Sequence, residues 1–147
     1  LVSDTNWGPG RLRMLTQGPG RLISIAYAED GGHNVVTNLP VGRSPEGFTI
    51  SDDGRRAVTV NMERTYLPEL WLLNAWPGRS RYTLSLVAID PATGALTRLG
   101  RNVAAPGILP EDAAFDRSGR NLAVAVFHRR SGEDRRRGFV DYFTVVE

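Results

Sequence analysis

Apolar residues in this chain gather in short runs cut by glycine-bearing turns, and one pair of such runs occurs twice. The stretch from Pro45-Glu46-Gly47-Phe48 to Val60 is answered, 65 positions on, by Pro110-Glu111-Asp112-Ala113 to Ala125. Repetition of this kind marks an architecture of stacked units, none of which buries its apolar face alone. The first copy predicts a strand over Gly47 to Ser51, a tight turn at Asp53-Gly54 and a second strand over Arg56 to Asn61. Asp-Gly between apolar runs is a strong hairpin signal, because glycine takes positive φ without steric cost. Ser118-Gly119 takes that place in the second copy.

A third strand over Leu84 to Asp90 reaches the turn Pro91 to Gly94, and a short fourth follows from Ala95 to Leu99. The predicted unit is a four-stranded meander. Its second strands, Ala57 to Val60 and Leu122 to Val126, are apolar on nearly every residue, as expected where both faces are covered by neighbouring sheets. The same frame reads Leu1 to Asn6 as a second strand, Leu22 to Ala28 as a third and Asn34 to Leu39 as a fourth. At the other end Phe139 to Val146 reads as a third. The fold class is therefore all-β, in stacked four-stranded antiparallel sheets. Residues 1–40 are expected to form a unit lacking its first strand, 44–109 a complete unit and 110–147 a unit lacking its last. The chain opens on Leu1 rather than Met, which reads as a processed product, an excised piece or part of a longer polypeptide.

The Pro-x-Gly-Phe-x-Ile-Ser-x-Asp-Gly-Arg-x-Ala-Val-x-Val-Asn pattern resembles the repeat of the YVTN and lactonase-like β-propellers, and Val87 to Gly94 is similar to the third-strand motif of that repeat. The resemblance implies a partial β-propeller, since such rings close with roughly 4 to 8 blades of about 40 to 50 residues. Many lactonase-like repeats carry His after the leading Pro, whereas these copies carry Glu46 and Glu111. The repeat identifies a blade better than a reaction.

Composition narrows the classes. With 147 residues and 41% hydrophobic content the chain is large and apolar enough for one packed domain. A net charge of +2, carried on the basic side by Arg alone, gives a pI near 9.5. The absence of Cys removes disulfide and thiolate chemistry, so neither redox compartment is favoured and localisation stays unknown. No apolar run approaches the roughly 20 residues of a membrane span, and no leader pattern precedes the first turns.

Alternation of connections sorts the loops by end. The turns at Asp30 to Gly32, Asp53-Gly54, Pro91 to Gly94 and Ser118-Gly119 share one end. The long connections Trp7 to Arg21, Met62 to Thr83 and His128 to Gly138 share the other, where binding is expected. A short helix is predicted from Pro68 to Trp76; its Trp71 and Trp76, with Tyr66, either pack on the scaffold or anchor a partner or a carbohydrate. The Arg-rich loop that includes His128 and Arg129 is balanced by Glu133 and Asp134 and lacks interleaved aromatics, which argues against nucleic acid. Glu46, Glu111 and Asp112 begin the innermost strands of a closed ring; there they either hold a divalent cation or accept hydrogen bonds from the loops. No metal-spaced His pair and no Gly-x-Ser-x-Gly elbow is present. The favoured expectation is a non-catalytic binding or assembly module that contacts a protein or further blades. The alternative is part of a lactonase-like hydrolase with its site at the long-loop end of the central channel.

Overall fold

The computed structural model describes residues 1–7, 18–66, 80–128 and 137–146. Those residues form eleven strands: β1 (Val2–Asp4), β2 (Arg21–Tyr27), β3 (His33–Pro40), β4 (Pro45–Ile50), β5 (Arg56–Asn61), β6 (Arg81–Ile89), β7 (Leu96–Arg98), β8 (Val103–Pro106), β9 (Ile108–Phe115), β10 (Asn121–His128) and β11 (Phe139–Thr144). They assemble into three antiparallel sheets. The first is ordered β1-β2-β3, the second β4-β5-β6-β7 with β8 also on β6, and the third β9-β10-β11. No helix among the described residues is long and apolar enough to cross a membrane.

The turn chemistry foreseen from the sequence is in place. Gly31, Gly54, Gly94 and Gly119 all take positive φ in the turns that close the hairpins, a conformation that costs a residue with a Cβ roughly 1–2 kcal/mol. The fourth strand of the middle sheet is longer than expected and split. β7 pairs with Val87–Ile89, the chain steps out through Gly100, and β8 returns to pair with Arg81–Leu84. At the step, Asn102 Oδ1 accepts from the Ser85 hydroxyl at 2.7 Å, which supplies an internal partner where the ladder is broken.

Two seams hold the sheets together. Val58, Val60, Tyr82 and Leu84 of the middle sheet pack on Ala113, Leu122, Val124 and Val126 of the third. Leu22 and Val41 pack on Ala57, Val87 and Leu96 at the seam with the first sheet. Each Val or Leu so buried contributes about 1.5–3 kcal/mol. From Ala57 to Asn61, β5 is buried at every position, because alternate side chains enter opposite seams. β10 departs from the expectation of two covered faces. Leu122, Val124 and Val126 are buried, but Phe127 stays 58% exposed, and Val140 and Tyr142 of β11 are exposed beside it. No sheet among the described residues covers that side.

Candidate functional site

Both copies of the repeated motif open on a β-bulge. Pro45 lies opposite Asn61 and Gly47 opposite Val60, so Glu46 is the extra residue of β4. Pro110 lies opposite Val126 and Asp112 opposite Ala125, so Glu111 is the extra residue of β9. A bulge leaves its added residue unpaired and re-aims its side chain, and proline is tolerated there because the ladder lacks a donor to lose. Pro45 and Pro110 are fully buried, while Glu46 and Glu111 are exposed. The two edge strands run against each other at this level. A Cβ on Gly47 would stand 2.8 Å from Asp112 Oδ1 and 2.8 Å from the Glu111 carbonyl oxygen. Thus Glu46, Glu111 and Asp112 come from neighbouring sheets to one end of one seam. Asp112 Oδ1 accepts from the Ala113 amide at 2.8 Å. Among the described residues no group of three or more His, Asp or Glu side chains is arranged to hold a metal ion.

Immediately before each proline stands a non-glycine residue in the left-handed region, Ser44 at φ 49° and Leu109 at φ 50°. Sequence reasoning passed over both, because neither residue type announces that conformation. The residues that hold them start the long connection after β5. The amides of Met62 and Glu63 donate to the carbonyls of Ser44 and Arg43, each at 2.9 Å. The Leu109 amide donates to Thr65 Oγ1 at 3.1 Å, and Thr65 in turn donates to the Met62 carbonyl at 2.8 Å. Glu63 itself has φ 57°, and its Oε1 accepts from the Thr83 hydroxyl at 2.6 Å and from the Arg43 amide at 3.4 Å.

Behind this surface lies a polar cluster on the seam with the first sheet. Asn61, fully buried, accepts from the Thr59 hydroxyl at 2.9 Å and donates to Thr83 at 3.1 Å and to Ser85 Oγ at 3.0 Å. Buried polar groups are tolerated when paired in this way. On the seam with the third sheet, buried Tyr82 donates its hydroxyl to Asp141 Oδ2 at 2.7 Å. Burial, aided by that carboxylate, pushes the phenol above its ordinary value and keeps it protonated.

Of the binding residues expected from the sequence, Tyr66 and His128 are described, and both lie at this end. Tyr66 meets the Trp7 ring at 5.5 Å, and Trp7 Nε1 donates to Ser44 Oγ at 3.0 Å, so the aromatic pair abuts the first bulge. His128 closes β10 opposite Ile108 and meets Phe127 edge-on at 5.1 Å. It occupies in the third sheet the place that Glu63 holds in the second, and its buried Nδ1 has no partner among the described residues. Trp71, Trp76 and Arg129, with the expected helix, lie outside the described residues. His33, by contrast, is exposed at the short-turn end, its ring 6.0 Å from that of Tyr27 and tilted to it by 37°.

No known family's sequence profile matches the chain, and no curated protein matches it in sequence. Solved structures do match. A Bacteroides uniformis protein assigned as a 6-phosphogluconolactonase superposes over 71% of this chain with a TM-score of 0.52 and 20% identity. A Bacteroides fragilis protein of the same assignment does so over 71% with a TM-score of 0.50 and 18% identity. The periplasmic gluconolactonase of Pseudomonas aeruginosa superposes over 87% with a TM-score of 0.56 and 18% identity. The chain spans 26%, 25% and 30% of those three proteins. The likeness shows the fold: stacked antiparallel sheets of a partial β-propeller.

Proposed function

We propose that this chain is part of a propeller hydrolase acting on a sugar lactone, with its reacting groups at the twin bulges. The observation that carries the reading is the meeting of β4 and β9, where two bulges re-aim Glu46 and Glu111 at one end of one seam. Similarity in fold to proteins named as gluconolactonases supports the substrate class. The chemistry fits the residues. One of the two glutamates takes a proton from water as its oxygen adds to the lactone carbonyl carbon. The ring C–O bond then breaks, and the same carboxyl returns the proton to the departing oxygen, giving the open hydroxy acid. The second glutamate accepts hydrogen bonds from sugar hydroxyls, and the Trp7–Tyr66 pair offers a sugar ring an apolar wall.

Hydrolysis of glucono-1,5-lactone and its 6-phosphate, followed by acid release against the buffer rate, tests the reading. Glu46→Gln and Glu111→Gln are each expected to lower kcat by about 10²- to 10⁴-fold. Turnover indifferent to both changes would refute it.

The exposed face of the third sheet favours a second reading as a protein-binding surface, through Phe127, Val140 and Tyr142. A stable 16.2 kDa monomer that stays monomeric with Phe127 and Tyr142 intact would count against that reading.

A further inference from the structure

We infer that Thr65 is a positioning residue that ties the two bulged glutamates into one unit. As a role in catalysis the inference rests on the reading just given; as a statement about geometry it does not. Ser44 and Leu109 each carry two penalties. A left-handed conformation is unfavourable for a residue with a Cβ, and a following proline disfavours helical backbone at the residue before it. Such backbone persists only where its surroundings over-determine it. Both surroundings are the same four residues, Met62 to Thr65. The Leu109 amide donates to Thr65 Oγ1, Thr65 donates to the Met62 carbonyl, and the Met62 amide donates to the Ser44 carbonyl. This chain of hydrogen bonds runs from the residue two before Glu111 to the residue two before Glu46, across two sheets. At 2% exposure Thr65 is shielded from water that would compete for its hydroxyl. Glu63 braces the other side of the same connector through Arg43 and Thr83.

The link makes the position of one glutamate depend on the other, which a pair of independent loops would not. Thr65→Val removes the hydroxyl at nearly constant volume, and Thr65→Ser keeps it. Two readouts apply to the whole chain. In carbon-detected NMR, Thr65→Val is expected to shift the backbone and carboxyl signals of both Glu46 and Glu111 and to release the Leu109 amide to exchange, while Thr65→Ser leaves them in place. In lactone hydrolysis, Thr65→Val is expected to lower kcat by about 10- to 100-fold with KM little changed, as expected for reacting groups moved by a fraction of an ångström, and Thr65→Ser to restore it. Glutamate signals that stay at their wild-type positions, or a shift confined to Glu111, would overturn the link. A wild-type chain without lactonase turnover removes the function reading alone, and the NMR comparison still decides the link. Should Thr65→Val unfold, Glu63→Ala loosens the same connector from its half-exposed side. The Glu46 and Glu111 signals are then expected to move together, and a shift confined to Glu46, or no shift at all, overturns the inference.

Discussion

The two ends of the sheets solve the same geometric problem by opposite means. At the short-turn end every reversal is made by a glycine and an aspartate within a few residues of each other. Asp53 accepts from the Arg55 amide at 3.0 Å and the Ser51 hydroxyl at 2.6 Å; Asp90 accepts from the Ala92 amide at 2.8 Å; Asp116 accepts from the Arg120 and Asn121 amides, each at 3.1 Å. At the long-loop end, Gly107 aside, the positive-φ positions belong to Asn6, Ser44, Glu63 and Leu109, the only positive-φ residues other than glycine among those described. Ser44 and Leu109 are held by distant partners, Trp7 to Ser44 across 37 positions and Leu109 to Thr65 across 44. One end is encoded locally and the other is imposed by tertiary structure. Imposed strain of this kind clusters where groups must be held for function, and here it brackets the two exposed glutamates.

The sharpest way to break the comparison is to spread the edge strands at the imposed end. Gly47→Ala puts a Cβ 2.8 Å from both the Glu111 carbonyl and Asp112 Oδ1, and the backbone oxygen cannot swing away. Overpacking of this kind costs about 1–3 kcal/mol, and by moving β4 off β9 it is expected to remove lactone turnover altogether. Chemical denaturation with a parallel activity assay reads both effects. At the local end, Gly119→Ala meets only ordinary contact with Ser51 Cβ at 3.4 Å but keeps φ at 67°. Its expected cost is about 1–2 kcal/mol of stability with kcat unchanged. Loss of activity there would mean that the two ends are not separable.

The same division explains what the sequence reveals. Asp53-Gly54 and Ser118-Gly119 are local signals, and β4, β5 and β10 stand within two residues of their expected bounds. The split of the fourth strand at Gly100 and the return of β8 were not legible, because Val103 to Pro106 owes its strand to pairing with Arg81 to Leu84, about 20 positions away, rather than to its own pattern. The paired Pro-Glu was visible as a repeat, and so was its place at the head of the first strands. The bulges were not, since a one-residue register shift leaves no mark in composition. Ser44, Thr65 and Leu109 were invisible for a related reason. Their conformations and bonds come from Met62 to Thr65 meeting two sheets at once, and nothing in a single segment encodes a meeting. Tyr66 and His128 were found as loop residues, but the contact that gives Tyr66 its context, with Trp7, belongs to the assembled end.

A smaller effect probes the local end through pH. The side-chain and backbone N–H groups of Asn121, with the Ser118 hydroxyl, hold the Asp116 carboxyl down to about 2 from an ordinary 3.8. A carboxyl depressed by folding stabilises the folded state fully above its unfolded value, and that contribution disappears as pH falls through the folded one. Asp53 and Asp90 are lowered in the same direction, chiefly by the Ser51 hydroxyl and the Ala92 amide. Stability is therefore expected to fall from about pH 4 towards pH 2. Asp116→Asn is expected to flatten part of that fall while leaving the Glu46 and Glu111 signals unmoved. Melting temperatures taken in that window provide the check, and an unchanged slope would show that the turn cap adds nothing.

The smallest expected change in stability is the most discriminating test, because it puts glycine at a left-handed position that the long-loop end fills with serine. Ser44→Gly relieves a left-handed cost of about 1–2 kcal/mol. It also removes the Trp7 to Ser44 hydrogen bond, worth about 0.5–1.5 kcal/mol, and adds about 0.5–1 kcal/mol of chain entropy to be lost on folding. These contributions cancel to within about 1 kcal/mol, so the melting temperature is expected to stay close to that of the wild type. Turnover is not protected by the same cancellation. A glycine before Pro45 no longer confines the connector to one conformation, and Glu46 loses the fixed approach that Ser44 and Trp7 give it. A lowered kcat at constant stability would show that the imposed strain serves the position of Glu46. A chain that gains stability and keeps its turnover would show that Ser44 is strained for reasons unconnected with the site, and the contrast between the two ends would then be one of folding alone.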